Sequence, residues 1–114
     1  MRQHGTTSLV DSFATAFVKN MHFDISFISA GGVDAGFGLS NGTDETATFQ
    51  RAVIENTRKN ILLMPSQKIG FKAFIKVCDV NKFDTLITDW DALEDELIKI
   101  EEAGVETIVV EKEK

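Results

Sequence analysis

The apolar positions change period several times along the chain, and each change predicts an element. From Thr7 to about Met21, the residues Val10, Phe13, Ala14, Phe17, Val18 and Met21 fall three or four apart, which places them on one stripe of an amphipathic helix. Ser8 can cap its start, and Asp11 lies near the positive end of its dipole. Phe23 to Ala30 is a short apolar run rich in Ile and Phe that stops at Gly31-Gly32, the pattern of a buried strand ending in a loop. Five glycines between Gly31 and Thr43 extend that loop.

A second helix is predicted from Asp44 to about Lys59, with Thr43 or Asp44 as its cap and Phe49, Ala52, Val53 and Asn56 on a common face. Ile61 to Met64 reads as a second buried strand. Pro65 ends it, because proline has no N–H for a strand ladder and a fixed φ. After the loop Ser66 to Gly70, Ala73 to Cys78 and Thr85 to Thr88 read as two further strands around a turn from Asp79 to Asp84. Trp90, Leu93, Leu97, Ile100 and Ala103 then repeat at helical spacing. Gly104 stands where a left-handed cap stops such a helix, and Val105 to Val110 forms a last strand. This order predicts an α/β fold whose mainly parallel sheet is covered by helices on both faces. Ligands in such sheets bind beyond the carboxyl ends of the strands, so the loops after Ala30, Met64, Cys78 and Thr88 are the places to search.

Composition changes this picture only by exclusion. The 114 residues suit one domain, and 43% apolar with 26% charged residues is the balance of an ordinary globular chain. No apolar run reaches the roughly 18 residues that span a bilayer, and the first residues lack the apolar segment of a secretory signal, so the expected location is cytoplasmic. Twelve basic against eighteen acidic residues give a net charge of −6, which repels a phosphate backbone. This chain by itself is not expected to bind DNA. The single cysteine, Cys78, has no disulfide partner and no zinc spacing around it, so it reads as a small core residue.

Few side chains carry candidate chemistry. Gly31 and Gly32 can let backbone donors approach a ligand closely, or can simply make a tight turn. His4 and His22 lack metal-ligand partners at helical spacing, and no metal site is predicted. Asp89, Asp91, Glu94, Asp95 and Glu96 lack the glycine and spacing of a calcium loop, and read as a solvated acidic helix start. No cofactor motif is found.

Several short segments taken in order resemble one family. Thr7-Ser8-Leu9-Val10 and Phe23 to Gly32 look like the middle of DeoR-type sensor domains. Arg51 to Glu55 is similar to that family's KRAMIE helix, and Ile61 to Gly70 to its VILLADSSKFG segment. Asp84 to Asp89 resembles IDTLITD, and Glu102 to Glu106 begins like EEAGVEVIVV. The match runs through nearly all of the chain with family-like spacing.

The resemblance implies the sensing part of a bacterial repressor of sugar metabolism, related in fold to ribose-5-phosphate isomerases and coenzyme A transferases, with a phosphorylated sugar as effector. It also implies that residues 1–114 are the C-terminal portion of the sensor. The family's winged helix-turn-helix and its Ser-Gly-Thr-Thr-Thr phosphate loop would precede them, so DNA is contacted only through the missing N-terminal domain and this chain alone binds effector weakly. Lys68 takes the place of the lysine in the DSSK loop, where an ammonium can meet a phosphate; the alternative is a solvated loop lysine. Asn41 and Glu45 lie where the family approaches its ligand, and Asn41 can both donate to and accept from sugar hydroxyls, although helix capping explains both residues as well. Pro65 replaces the family's aspartate and Gln50 a common lysine. Phe49 aligns with the catalytic carboxylate of the isomerases, and a phenyl ring takes no proton, so no catalytic residue is assigned and no turnover is expected. An isomerase-like enzyme fragment and a plain α/β oligomerisation module are the competing readings. An incomplete sheet leaves edges and a face uncovered, and a homo-oligomer is expected.

Overall fold

The computed structural model describes residues 13–112. Helical residues 13–18 (α1) lead to strands β1 (Phe23–Ile28), β2 (Gly32–Asp34) and β3 (Gly38–Asn41), then helix α2 (Asp44–Glu55) and strand β4 (Thr57–Leu63). Strands β5 (Ile75–Cys78) and β6 (Thr85–Asp89), helix α3 (Glu94–Glu102) and strand β7 (Glu106–Val110) follow. Short 3-10 turns occupy Ser66–Lys68 and Val80–Lys82. The fold class is the expected α/β: β1, β4, β6 and β7 form one parallel sheet in that order.

The sheet differs from expectation in how much of the chain it takes. Residues Ala73 to Cys78 do not join it: β5 pairs antiparallel with β3, and β3 with β2, as a separate three-stranded sheet. The glycine-rich segment read as a loop is therefore largely a hairpin. Its turn is held by the Asp34 carboxylate, which accepts from the backbone N–H of Gly36 at 3.0 Å and of Phe37 at 2.7 Å. Such a side-chain-stapled turn is as good a strand connector as a loop signal, and composition alone does not separate the two.

Helix α2 also stops short of Lys59. Thr43 caps its start by accepting from Thr46 N–H, and at its end the side-chain amide of Asn60 takes the Ile54 carbonyl while the Asn56 amide donates to Ala52 and Val53. Thr57 to Lys59 then pair with Phe23 to Ile25 of β1, so the strand begins four residues before the apolar run that announced it. Helix α3 begins at Glu94 rather than near Trp90, and only its three acidic residues form a helix start; Asp89 closes β6 and Asp91 lies in the turn after it.

One core joins these layers. Leu62 and Leu86, neighbours in the parallel sheet, pack with Ile54 of α2, Leu97 and Ile100 of α3, and Val33, Leu39 and Val77 of the small sheet. Beneath it, Asn60 is buried and fully used: its side-chain oxygen accepts from Ser26 Oγ at 2.6 Å, and its backbone N–H donates to the Asp84 carboxylate at 2.8 Å. Side chains that alternate to the other face of the sheet stay exposed, among them Ile25, Phe27 (59%), Leu63 and Ile108. The expected helical cover is thus found on one face among the described residues.

The first helix departs from its predicted orientation. Thr15 and Val18 are buried, and the Val18 carbonyl accepts from the Asn56 side chain at 2.8 Å, whereas Phe13 (70%), Phe17 (68%) and Met21 point outward. The stripe was legible as a helix face, but its apolar ridge is not the side turned to this core. The predicted cap Ser8 and the residues Val10, Asp11 and His4 lie outside the described residues.

Candidate functional site

The carboxyl ends of β1, β4 and β6 open toward one set of loops, and three polar side chains and one backbone amide converge there. Lys68, placed by the 3-10 turn after Pro65, reaches across to donate to the Ala30 carbonyl at 3.2 Å. Gly31 N–H donates both to the Ser40 carbonyl at 3.0 Å and to the Asn41 side-chain oxygen at 2.9 Å. The Asn41 amide nitrogen donates to the side-chain oxygen of Gln50, whose own amide donates to the Ser29 carbonyl at 2.8 Å. Asn41 is buried, and both ends of its amide are engaged inside the protein.

The predicted residues are therefore only partly together. Gly31, Asn41 and Lys68 gather around the end of β1. Gly32 does not face that opening: a Cβ built on it would stand 2.3 Å from the Phe71 carbonyl oxygen and 2.8 Å from the Phe71 ring. Its lack of a side chain serves strand packing, the blander of the two readings. Glu45 lies on the exposed first turn of α2, where its charge favours the helix dipole.

Two members of this cluster were not assigned from the sequence. Gln50 is the bridge between Asn41 and the end of β1, although it stood out only as a departure from the family pattern. Its place on α2 gives the signal: one turn beyond Ala47, which is fully buried, a polar residue faces the sheet ends. Asp89 is the second. Its carboxylate accepts from Ser66 N–H at 2.7 Å, and hydrogen bonds from Ser66, hydroxyl first and then amide, hold its carboxyl below the usual aspartate range. Pro65 has no side-chain acceptor at the mouth of this loop, and Asp89 of the neighbouring strand provides one instead.

Electrostatically the opening sets the Lys68 ammonium against the Asp89 carboxylate. Next to it Thr88 Oγ1 is buried with no partner among the described residues, and an unmade hydrogen bond of that kind costs about 1–3 kcal/mol. Phe49 is half-buried on α2 and offers no proton-transfer group. Among the described residues no group of His, Cys, Asp and Glu is arranged to hold a metal ion, and no helix is long and apolar enough to cross a membrane. His22 stays at the surface, 3.9 Å from Asp24. Cys78 packs against the edge of the core, where burial first and the Asp79 charge second push its thiol up to about 11.

Comparison with known proteins points the same way. The family model for the DeoR C terminal sensor domain matches residues 2–90. A putative aga operon transcriptional repressor of Escherichia coli O157:H7 is 29% identical over 93 residues, which is 82% of this chain and 35% of that protein. An uncharacterized HTH-type transcriptional regulator of Haemophilus influenzae is 31% identical over 103 residues, covering 90% of this chain and 40% of that protein. A lactose phosphotransferase system repressor of Staphylococcus aureus is 27% identical over 89 residues, 78% of this chain and 35% of that protein. The chain thus spans well under half the length of these relatives.

Proposed function

Because this chain belongs to the DeoR C-terminal sensor domains, a regulatory family rather than a catalytic one, we propose that it forms one wall of the effector cleft of a repressor of sugar metabolism, with a phosphorylated sugar as the effector. The observation that supports this reading is the convergence of the Lys68 ammonium, the Gly31 amide and the Asn41–Gln50 pair on the end of β1. An ammonium supplies a point charge for a phosphate, and each of the two side-chain amides, already bonded internally at both ends, keeps a second N–H and a second lone pair that hydroxyls can use. The existing internal bonds hold these groups in place before a ligand arrives, which lowers the ordering cost of binding.

A single ammonium beside a carboxylate is a weak phosphate site. We assign the rest of the recognition to a phosphate loop in a preceding part of the sensor and DNA contact to an N-terminal domain; the relatives, of which this chain covers 35–40%, are named as transcriptional repressors and an HTH-type regulator. Isothermal titration with a panel of hexose and ketose phosphates tests the division. An intact regulator that binds one of them, against weak or no binding by these 114 residues, is the expected result; tight binding by the 114-residue chain overturns it.

The same division accounts for the exposed apolar side chains. Ile25, Phe27 and Leu63 on the open sheet face, and Phe13 and Phe17 of α1, are large apolar side chains left exposed, and exposed apolar surface that forms a patch favours association. The chain on its own is expected to self-associate through that surface, as a dimer or larger. Light scattering at rising concentration checks this, and a monomer throughout the range counts against it.

A further inference from the structure

A second cleft lies between the last turns of α2, β4, the end of β5 and the 3-10 turn Val80–Lys82. It has a volume of about 250 Å3 and is lined by Arg51, Ile54, Glu55, Asn60, Cys78 and Lys82. Gln50 and Arg51 are consecutive residues of α2, and the first serves the effector cleft while the second serves this one.

The chemistry of this cleft is set by two cations. Arg51 is held rigidly: its Nε donates to the Val77 carbonyl at 2.8 Å and one terminal nitrogen to the Lys76 carbonyl at 2.9 Å, which fixes the plane of the guanidinium. A guanidinium has five N–H donors, so the remaining ones are available on a fork that is already oriented. Lys82, in the 3-10 turn before β6, brings an ammonium to the same cleft, and among the described residues neither cation is in a salt bridge. Glu55 is the one carboxylate in the lining. The lining thus carries two cations against one carboxylate in a chain of net charge −6, with the Asp79 carboxylate near enough to act on Cys78 and Lys82.

We infer that this cleft is a second binding site, for a small oxyanion of the phosphate type, held between the Arg51 fork and the Lys82 ammonium. Its size suits a small ion. Pockets for whole small molecules run from about 300 to 1,000 Å3, whereas a volume of this order holds a phosphate group and a few waters at about 30 Å3 each. The polar wall is pre-formed, since Asn60 is locked by Ser26 and Asp84 and the Arg51 plane by β5. The occupant would tie α2, β5 and the β6 entry together, across the seam between the two sheets.

Inorganic phosphate is the probe, followed on the 114-residue chain by backbone amide shifts. Saturable shifts at Arg51, Asn60, Cys78 and Lys82, weakened about tenfold in Lys82→Ala as expected for loss of a charge-assisted contact, support the site. Arg51→Lys, which keeps charge but loses the fork, weakens binding similarly. If that variant fails to fold because β5 loses its tie, Lys82→Ala carries the test alone. Cys78 gives an independent readout: the two cations favour its thiolate, so phosphate that neutralises them slows alkylation at alkaline pH. Shifts centred on Lys68 with none at Arg51, a response unchanged in Lys82→Ala, or no saturable shift at all each overturn the proposal.

Discussion

Gly38→Ala is expected to destabilise the protein by about 2–6 kcal/mol, from left-handed backbone strain of about 1–3 kcal/mol added to overpacking of about 1–3 kcal/mol. Gly38 has φ +99°, and a Cβ there would stand 2.2 Å from the Cys78 carbonyl oxygen and 3.1 Å from the Asp79 Cα. Both obstacles are backbone, so nothing can swing aside as a flexible side chain would. Relief requires β3 and β5 to separate where Leu39 faces Cys78, and Leu39 and Val77 are core residues. Gly104 provides the internal control. Its φ of +101° is nearly the same, but nothing lies within 4 Å of an added Cβ. Gly104→Ala therefore measures the backbone strain by itself. Chemical denaturation of the two variants beside the unaltered chain should show a clearly larger loss for Gly38→Ala. Equal losses would mean that the β3–β5 approach is looser than its geometry states.

This pair of glycines also shows where sequence reading succeeds and where it stops. Gly104 follows a run of helical-period residues, and the pattern itself says why a glycine stands there. Gly38 sits among five closely spaced glycines whose purpose depends on a strand 37 residues further on, a contact that no local pattern encodes. The parallel core strands were legible because Ile28, Leu62 and Leu86 lie in apolar runs, and the helices because their period is 3.6. The small sheet was not legible, since its strands have only three or four residues and their pairing depends on tertiary contacts. Within the proposed cleft, Lys68 was singled out because it takes the place of the lysine in the family's DSSK loop, just beyond a strand. Gln50 was missed because a polar residue inside a helix reads as solvent-facing until the position of the sheet is known.

Lys68 carries the second large effect. Lys68→Met keeps the apolar stem and removes the ammonium, and in the intact regulator it is expected to weaken phosphorylated-sugar binding about 10- to 100-fold, the equivalent of one charge-assisted hydrogen bond worth about 1.5–3 kcal/mol. The ammonium has three donors, and one is engaged with the Ala30 carbonyl at 3.2 Å, so others can reach a phosphate oxygen without breaking that contact. The rival account is that Lys68 only ties the loop after β4 to the end of β1. Under that account the variant loses stability while affinity for the effector stays the same once the protein is folded. Titration calorimetry and thermal unfolding on the same variant separate the two, because a tie moves the melting point and a ligand contact moves the dissociation constant. An unchanged dissociation constant would remove Lys68 from the effector site and leave only the Gly31 amide and the Asn41–Gln50 pair to support this wall.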